Sequence, residues 1–307
     1  MMLAPIVLFV YNRPYHTEQT LLRLSMNALA DESVLYIYAD GAKENASAEA
    51  LKNIALTREV VRSKKWCKEV QVIESPVNRG LAGSIIKGVT EVMAKHGKAI
   101  ILEDDIVTAK GFLKFMNEGL EMYSAAPNVA GISGWSFPIE SKGGTYFSRV
   151  GACWGWATWA RVWNKVDFDA TALIARLEQE QRVHDYNLGG AYDYFAMLNK
   201  QAKGELDSWA VRFYTNYFLW GSLFLFPQKS LVQNTGFDGT GTNYTEGRGG
   251  KPAPVYFEQE FVDLSYLEPV EQLQTRRKII ASVKPPATEK PGLLRRMAAI
   301  IKRKTRD

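Results

Sequence analysis

Three carboxylates stand side by side at Glu103-Asp104-Asp105, directly after the apolar run Ala99-Ile100-Ile101-Leu102. The run reads as a buried strand. A strand cannot take three adjacent acids into a core without partners, so the spacing predicts that it ends there with its acids facing a cleft. Open α/β sheets bind ligands in the crevice at the carboxyl ends of their strands. Adjacent carboxylates at such a place suit a hard divalent cation, which prefers oxygen ligands and can bridge to a diphosphate. The plainer reading of the same triplet is a solvated acidic turn.

Other residues of chemical interest also follow apolar runs. Tyr11-Asn12-Arg13 succeeds Pro5 to Val10, and Arg13 could pair with a phosphate or serve as a surface charge. Asp40-Gly41 succeeds Val34 to Ala39; Asp40 could accept hydrogen bonds from a nucleoside base or ribose, or only terminate a strand. In Asn78-Arg79-Gly80-Leu81-Ala82-Gly83-Ser84, two glycines allow close backbone approach, and the helix that follows offers N–H groups to an anion. That segment is neither a Walker A loop nor a full dinucleotide fingerprint. Trp154, Trp156 and Trp159 could form a stacking wall for a sugar or a packed aromatic core. Asp207, before Ser208-Trp209, could be a helix N-cap or a general base in a partly apolar cleft. His16, His96 and His184 form no metal or triad pattern with Cys67 and Cys153.

The elements that must position these groups alternate. Strands are expected over 5–10, 34–39, 70–73 and 99–102, the last ending at its acids. Helices are expected from Pro14 and Thr17 to Leu29, over 46–64, and from the Asn78–Ser84 segment to about Lys95. That order predicts an α/β fold, a mixed and mostly parallel central sheet flanked by helices. Further on, helices are expected over 111–123, 170–182, 191–202 and 209–219, with short strands over 129–133 and 145–148. Six glycines between Gly236 and Gly250 predict a loop.

The chain has 307 residues, 46% hydrophobic and 23% charged, as in a soluble globular protein with ample core. Two cysteines make no disulfide framework and fit a reducing compartment. The N-terminus lacks the pattern of a signal peptide, and no apolar run reaches the length of a membrane span. The net charge of +5 is uneven: residues 276–307 hold eleven Lys and Arg against two acids, +9, which leaves −4 for residues 1–275. The basicity therefore belongs to a tail, and no nucleic-acid partner is expected.

Taken in order, the strand-end elements and Asp207-Ser208-Trp209 resemble a glycosyltransferase of the GT-A fold, bacterial and family 2-like. The Glu-Asp-Asp and Asp-Ser-Trp elements are similar to those of the N-acetylglucosaminyltransferase I family. The resemblance covers roughly residues 4–245. It implies a GT-A domain over 1–265 and a basic extension over 266–307. It also implies a nucleotide-sugar donor, usually a UDP-sugar, and a Mn²⁺ or Mg²⁺ ion on the diphosphate, with Asp105 as the direct metal ligand. Donor contacts would come from Tyr11, Asn12, Arg13, Asp40, Asn78, Arg79, Gly80, Ser84, Glu103 and Asp104. Trp154, Trp156 and Trp209 would meet the sugar or the acceptor, and Asp207 would be the base of an inverting transfer to a hydroxyl of a glycan or lipid-linked acceptor. Related enzymes often present a His near the end of the glycine-rich loop; Gly239-Thr240-Gly241-Thr242-Asn243-Tyr244 has none.

Two other readings share the pattern: a sugar nucleotidyltransferase, although Tyr11-Asn12-Arg13-Pro14 lacks the glycine-rich basic loop that it needs, and a non-catalytic sugar-binding module. In the tail, Pro291 to Lys304 reads as a helix. At about 100° per residue, Leu293, Leu294, Met297, Ala298, Ile300 and Ile301 share one arc opposite Arg295, Arg296, Lys302 and Arg303, with Lys304 on the apolar side near the end. Such a helix suits an anionic membrane surface; packing on its own domain or on a second copy of the chain, or a disordered basic end, would serve equally. The expected location is the cytoplasm or the inner face of its membrane.

Overall fold

The computed structural model describes residues 2–140, 143–151, 153–237 and 257–284. In chain order the elements begin β1 (Ile6–Val10), α1 (Pro14–Ser25), β2 (Val34–Ala39), α2 (Ala48–Arg62), β3 (Glu69–Glu74), α3 (Gly80–His96) and β4 (Lys98–Glu103). Then come β5 (Ile106–Thr108), α4 (Phe112–Met122), β6 (Val129–Ser133), β7 (Thr145–Ser148), β8 (Trp156–Trp159) and α5 (Ala160–Trp163). The last are α6 (Ala170–Gln179), α7 (Val183–Tyr186), α8 (Tyr194–Ala202), α9 (Trp209–Leu219), β9 (Leu223–Pro227), β10 (Val232–Asn234) and α10 (Leu273–Val283).

Eight strands form one sheet in the order β3-β2-β1-β4-β8-β6-β9-β7. The first four run parallel, β8 and β7 run against their neighbours, and β6 pairs in parallel with β9. This is the mixed, mostly parallel sheet flanked by helices that the alternation predicts. All five residues of β1 are buried, because the strand is paired on both sides and covered by α3. At the free edge, β3 leaves Glu69, Gln71 and Glu74 exposed, and charged and polar side chains there discourage pairing with another chain. In α4 the spacing of Phe112, Phe115, Met116 and Leu120 buries all four.

The strand expected from Ala99 ends at its acids, and Ile106 and Val107 belong to a second strand, β5. β4 stays in the main sheet, the chain turns at Asp104 and Asp105, and β5 pairs with β10 in a separate antiparallel ribbon. The three acids therefore sit at a corner between two sheets.

Residues 257–284, which include the start of the expected extension, are held against the body. The backbone N–H groups of Lys110 and Gly111 donate to the carbonyls of Phe257 and Gln259, and the Tyr123 hydroxyl donates to the Leu267 carbonyl at 3.0 Å. The carboxylate of Glu271, 5% exposed, accepts from the Ser148 hydroxyl and the Arg149 N–H at 2.9 Å each and from Arg276 at 3.0 Å. Arg276 also pairs with Asp185, which fastens α10 to α7. No helix among the described residues is long and apolar enough to cross a membrane. The helix expected over 291–304, and the glycine-rich segment beyond Phe237, lie outside the described residues.

Candidate functional site

The parallel registers bring three strand ends together. Val10 of β1 lies opposite Ala39 of β2, and Phe9 of β1 lies opposite Glu103 of β4. Tyr11-Asn12-Arg13, Asp40-Gly41 and Asp104-Asp105 therefore leave the sheet side by side at its carboxyl edge. On the other side of β4, the antiparallel β8 pairs Trp156 with Ile101, so Cys153 and Trp154, just before β8, come to the same edge.

Arg13 joins the acids. Its Nη1 donates to Asp105 Oδ2 at 2.8 Å and lies 3.6 Å from Asp104 Oδ1, with all three side chains between 13% and 16% exposed. The acid backbone is pinned separately: the Thr20 hydroxyl donates to the Asp104 carbonyl at 2.8 Å, and the Thr235 N–H donates to the Asp105 carbonyl at 2.8 Å. Gly236 follows so closely that a Cβ there would lie 2.2 Å from Asp105 Oδ2, so a larger residue would push the Asp105 side chain aside.

Burial, and behind it the charges of Asp105 and Asp104, hold the Glu103 carboxyl well above the usual carboxylate range. Burial and the Asp105 charge push Asp104 up to about 7, against the pull of Arg13 and a backbone hydrogen bond from Tyr11. Burial, reinforced by the Glu103 charge, raises the Cys153 thiol to about 12, so it stays protonated and unreactive.

These shifts carry a stability consequence. Folded Asp104 keeps its proton up to about pH 7, whereas the unfolded chain releases it near the ordinary value of about 4. Stability therefore falls as pH rises between those values. Asp104→Asn, neutral throughout, is expected to melt higher than wild type at about pH 8 in the presence of chelator and no higher at about pH 3.5. A gain of equal size at both pH values would contradict the assignment.

Asp40 and Asn78 build a second part of the site. The Asp40 carboxylate is 7% exposed by whole-residue area and accepts from the N–H groups of Gly41 (2.9 Å), Arg79 (2.9 Å) and Gly80 (3.0 Å) and from Asn78 Nδ2 (3.0 Å). Asn78 Nδ2 also donates to the Gly41 carbonyl. A Cβ on Gly41 would lie 2.5 Å from the backbone carbon of Val77, so the two loops touch backbone to backbone. Asp40 thus holds the start of α3 instead of extending a free carboxylate to a ligand. Asp207 does the same from the far side: its Oδ2 accepts from the Ala82 N–H at 3.4 Å. The N–H groups of Arg79, Gly80 and Ala82, which the sequence offers to an anion, are engaged by these two acids.

Asp207 is not the N-cap of its own helix. Ser208 caps α9, its hydroxyl accepting from the Val211 N–H at 3.3 Å, and the exposed Asp207 faces α3. Arg79 is exposed, Tyr11 and Asn12 are half-buried at the end of β1, and Ser84 is buried in the second turn of α3.

The tryptophans divide. Trp154 is half-buried, meeting Trp135 edge-on at 5.3 Å and Phe237 at 5.5 Å. Phe237 is 43% exposed and follows Gly236, which brings this aromatic rim beside Asp105. Trp135 and Phe237 were not singled out by the sequence, where both stand in irregular segments, Trp135 near Phe137 and Phe237 alone. Trp156 and Trp209 correct the sugar-contact expectation: they are 1% and 3% exposed and stack on each other at 5.0 Å, with Phe213 packed against both. Neither has a free face. Trp156→Ala is expected to cost about 3–5 kcal/mol of stability, read by thermal or urea unfolding. An unchanged midpoint with weakened sugar binding would restore the contact role.

No protein-family model matches the chain, and no curated protein matches it. Among solved structures, the 1–349 segment of TarS from S. aureus aligns at 12% identity over 75% of this chain and 59% of its own, with a TM-score of 0.40. An active-site mutant of LgtC aligns at 11% identity over 72% of each chain, TM-score 0.38. Mouse xyloside xylosyltransferase 1 aligns at 10% identity over 67% of this chain and 84% of its own, TM-score 0.37. The match to the longer TarS structure spans 23% of that chain, so the first two matches cover less than two thirds of the proteins they align to.

Proposed function

We propose that this chain is a glycosyltransferase of GT-A type. It would move a sugar from a nucleotide-sugar, a UDP-sugar by the motif resemblance, to a hydroxyl of a glycan or lipid-linked acceptor in bacterial surface glycan synthesis. The observation that carries the reading is the gathering, at one carboxyl edge of the sheet, of the Arg13–Asp104–Asp105 cluster, the Asp40–Asn78 loop and, across α3, the exposed carboxylate of Asp207. A solvated acidic turn needs no such company.

The chemistry follows from what these groups can do. Arg13 supplies a guanidinium for the phosphate oxygens of a leaving nucleoside diphosphate. Asp40 and Asn78 shape the loop beside it. Asp207 accepts the proton of the acceptor hydroxyl as that oxygen attacks the anomeric carbon on the face opposite the leaving group, which inverts the anomeric configuration. The rim of Trp135, Trp154 and Phe237 offers apolar faces to a sugar ring.

The donor set suits a hard cation: Asp105, supported by Asp104, presents carboxylate oxygens at the cleft. No cluster of three or more His, Cys, Asp or Glu side chains capable of holding a metal occurs among the described residues. A Mn²⁺ or Mg²⁺ ion on Asp105 would therefore complete its ligands from diphosphate and water. When bound, it would supply Lewis-acid neutralisation of the leaving group.

The test is a panel of nucleotide-sugars incubated with purified protein, read as nucleoside diphosphate release with and without Mn²⁺. Release from one donor, enhanced by an acceptor extract, is the expected result. Pyrophosphate release from a nucleoside triphosphate and a sugar phosphate would indicate nucleotidyl transfer. Binding without turnover would indicate a sugar-binding module.

A further inference from the structure

Arg13 holds one oxygen of the carboxylate that a divalent cation would use. Its Nη1 lies 2.8 Å from Asp105 Oδ2, while a small divalent cation needs a carboxylate oxygen at roughly 2.0–2.6 Å. Both positive charges on one carboxylate would lie within a few ångströms of each other in a setting only 13–16% exposed, where water screens poorly. The carbonyls of Asp104 and Asp105 are held by Thr20 and Thr235, which fixes the backbone from which both acids project. The long side chain of Arg13, at the end of β1, is the partner with the reach to move.

We propose that Arg13 is an internal counter-ion of the acid pair, so that Asp105 accepts a divalent cation only in exchange for Arg13, and only together with a nucleoside diphosphate able to receive that guanidinium. The proposal rests on the assignment of Asp105 as the metal ligand and adds a role for Arg13 as a positioning residue. A diphosphate is the matching occupant. It has oxygens for a bidentate guanidinium contact and others for the cation, so one ligand compensates both charges that the exchange uncovers. Because linkage is reciprocal, cation and nucleotide then each tighten the other. The donor site assembles only when both are present, and the cation alone has little hold on the protein.

Mn²⁺ binding to the full chain, followed by electron paramagnetic resonance of the free ion without nucleotide, tests this. Arg13→Gln is expected to bind Mn²⁺ at least about tenfold more tightly than wild type, a change of ~1.4 kcal/mol. Arg13→Lys, which keeps a cation, should stay close to wild type, and Asp105→Asn added to Arg13→Gln should remove the gain. If Arg13→Gln binds Mn²⁺ no more tightly while Asp105→Asn still weakens binding in wild type, the counter-ion role is overturned and the metal assignment stands. A gain in Arg13→Gln that survives Asp105→Asn overturns both. The wild-type chain gives an independent measure through water-proton relaxation by Mn²⁺. Enhancement is expected only when UDP is also present; equal enhancement without UDP, or none in either case, overturns the proposal.

Discussion

Asp207→Asn is expected to lower turnover by about 10²–10⁴-fold, the range a positioned general base contributes, while leaving donor affinity nearly unchanged. Asparagine keeps the size of the side chain and an oxygen that can still accept from the Ala82 N–H, which Asp207 meets at 3.4 Å. It cannot take a proton from an acceptor hydroxyl. The usual objection, that such an acid only caps its helix, does not apply, because Ser208 caps α9 and is untouched by the substitution. Steady-state kinetics with the identified donor and acceptor, alongside donor titration by calorimetry, separate the two effects. Turnover equal to wild type would leave Asp207 as a carboxylate that only steadies the start of α3.

The residues that could be read from sequence and those that could not differ for physical reasons. Runs such as Val34 to Ala39 and Val129 to Ser133 are strands at the expected bounds, because a strand inside the sheet and covered on both faces is apolar throughout and stands out from its flanks. β8 was not expected: Trp156-Ala-Thr-Trp159 is buried between β4 and β6 and has neither alternation nor a long aliphatic run. The short β10 exists only because β5 turns out of the main sheet to meet it, a tertiary fact with no local signal. Leu223 to Pro227 is as apolar as any other strand, but it follows α9 after a short turn and merges with that helix's own apolar run.

At the site, the sequence located Asp40, Asn78 and Asp207 but not what they touch. That Asp40 and Asp207 both engage the start of α3 depends on contacts between residues 39 to 125 positions apart. Trp156 and Trp154 are two residues apart, a spacing that would share one face of a continuous strand, but Trp154 precedes β8 and Gly155 between them turns the chain at φ 58°. One packs on Trp209 in the core and the other reaches the rim, a difference that residue type alone does not carry.

Asp105→Ala is expected to abolish sugar transfer while leaving the fold in place. The carboxylate faces the cleft, and the backbone at this corner does not depend on it, since Thr235 holds the Asp105 carbonyl and β5 stays paired with β10. Two effects on stability oppose each other. Arg13 loses its partner at 2.8 Å, although Asp104 remains 3.6 Å away to receive it. In return, the Asp105 charge, which adds to burial in raising the Glu103 and Asp104 carboxyls, is gone, and this removes repulsion within a desolvated cluster. Breaking a buried pair outright costs about 3–5 kcal/mol; with Asp104 left to receive Arg13 and the repulsion relieved, a smaller net loss is expected. Catalysis has no such compensation, because without Asp105 a cation would have no carboxylate to hold it where the leaving diphosphate gathers charge. Transfer and donor hydrolysis measured in saturating Mn²⁺, with a melting curve on the same sample, give the test. An Asp105→Ala protein that melts like wild type and transfers sugar at a near-normal rate would place the diphosphate elsewhere on the sheet edge.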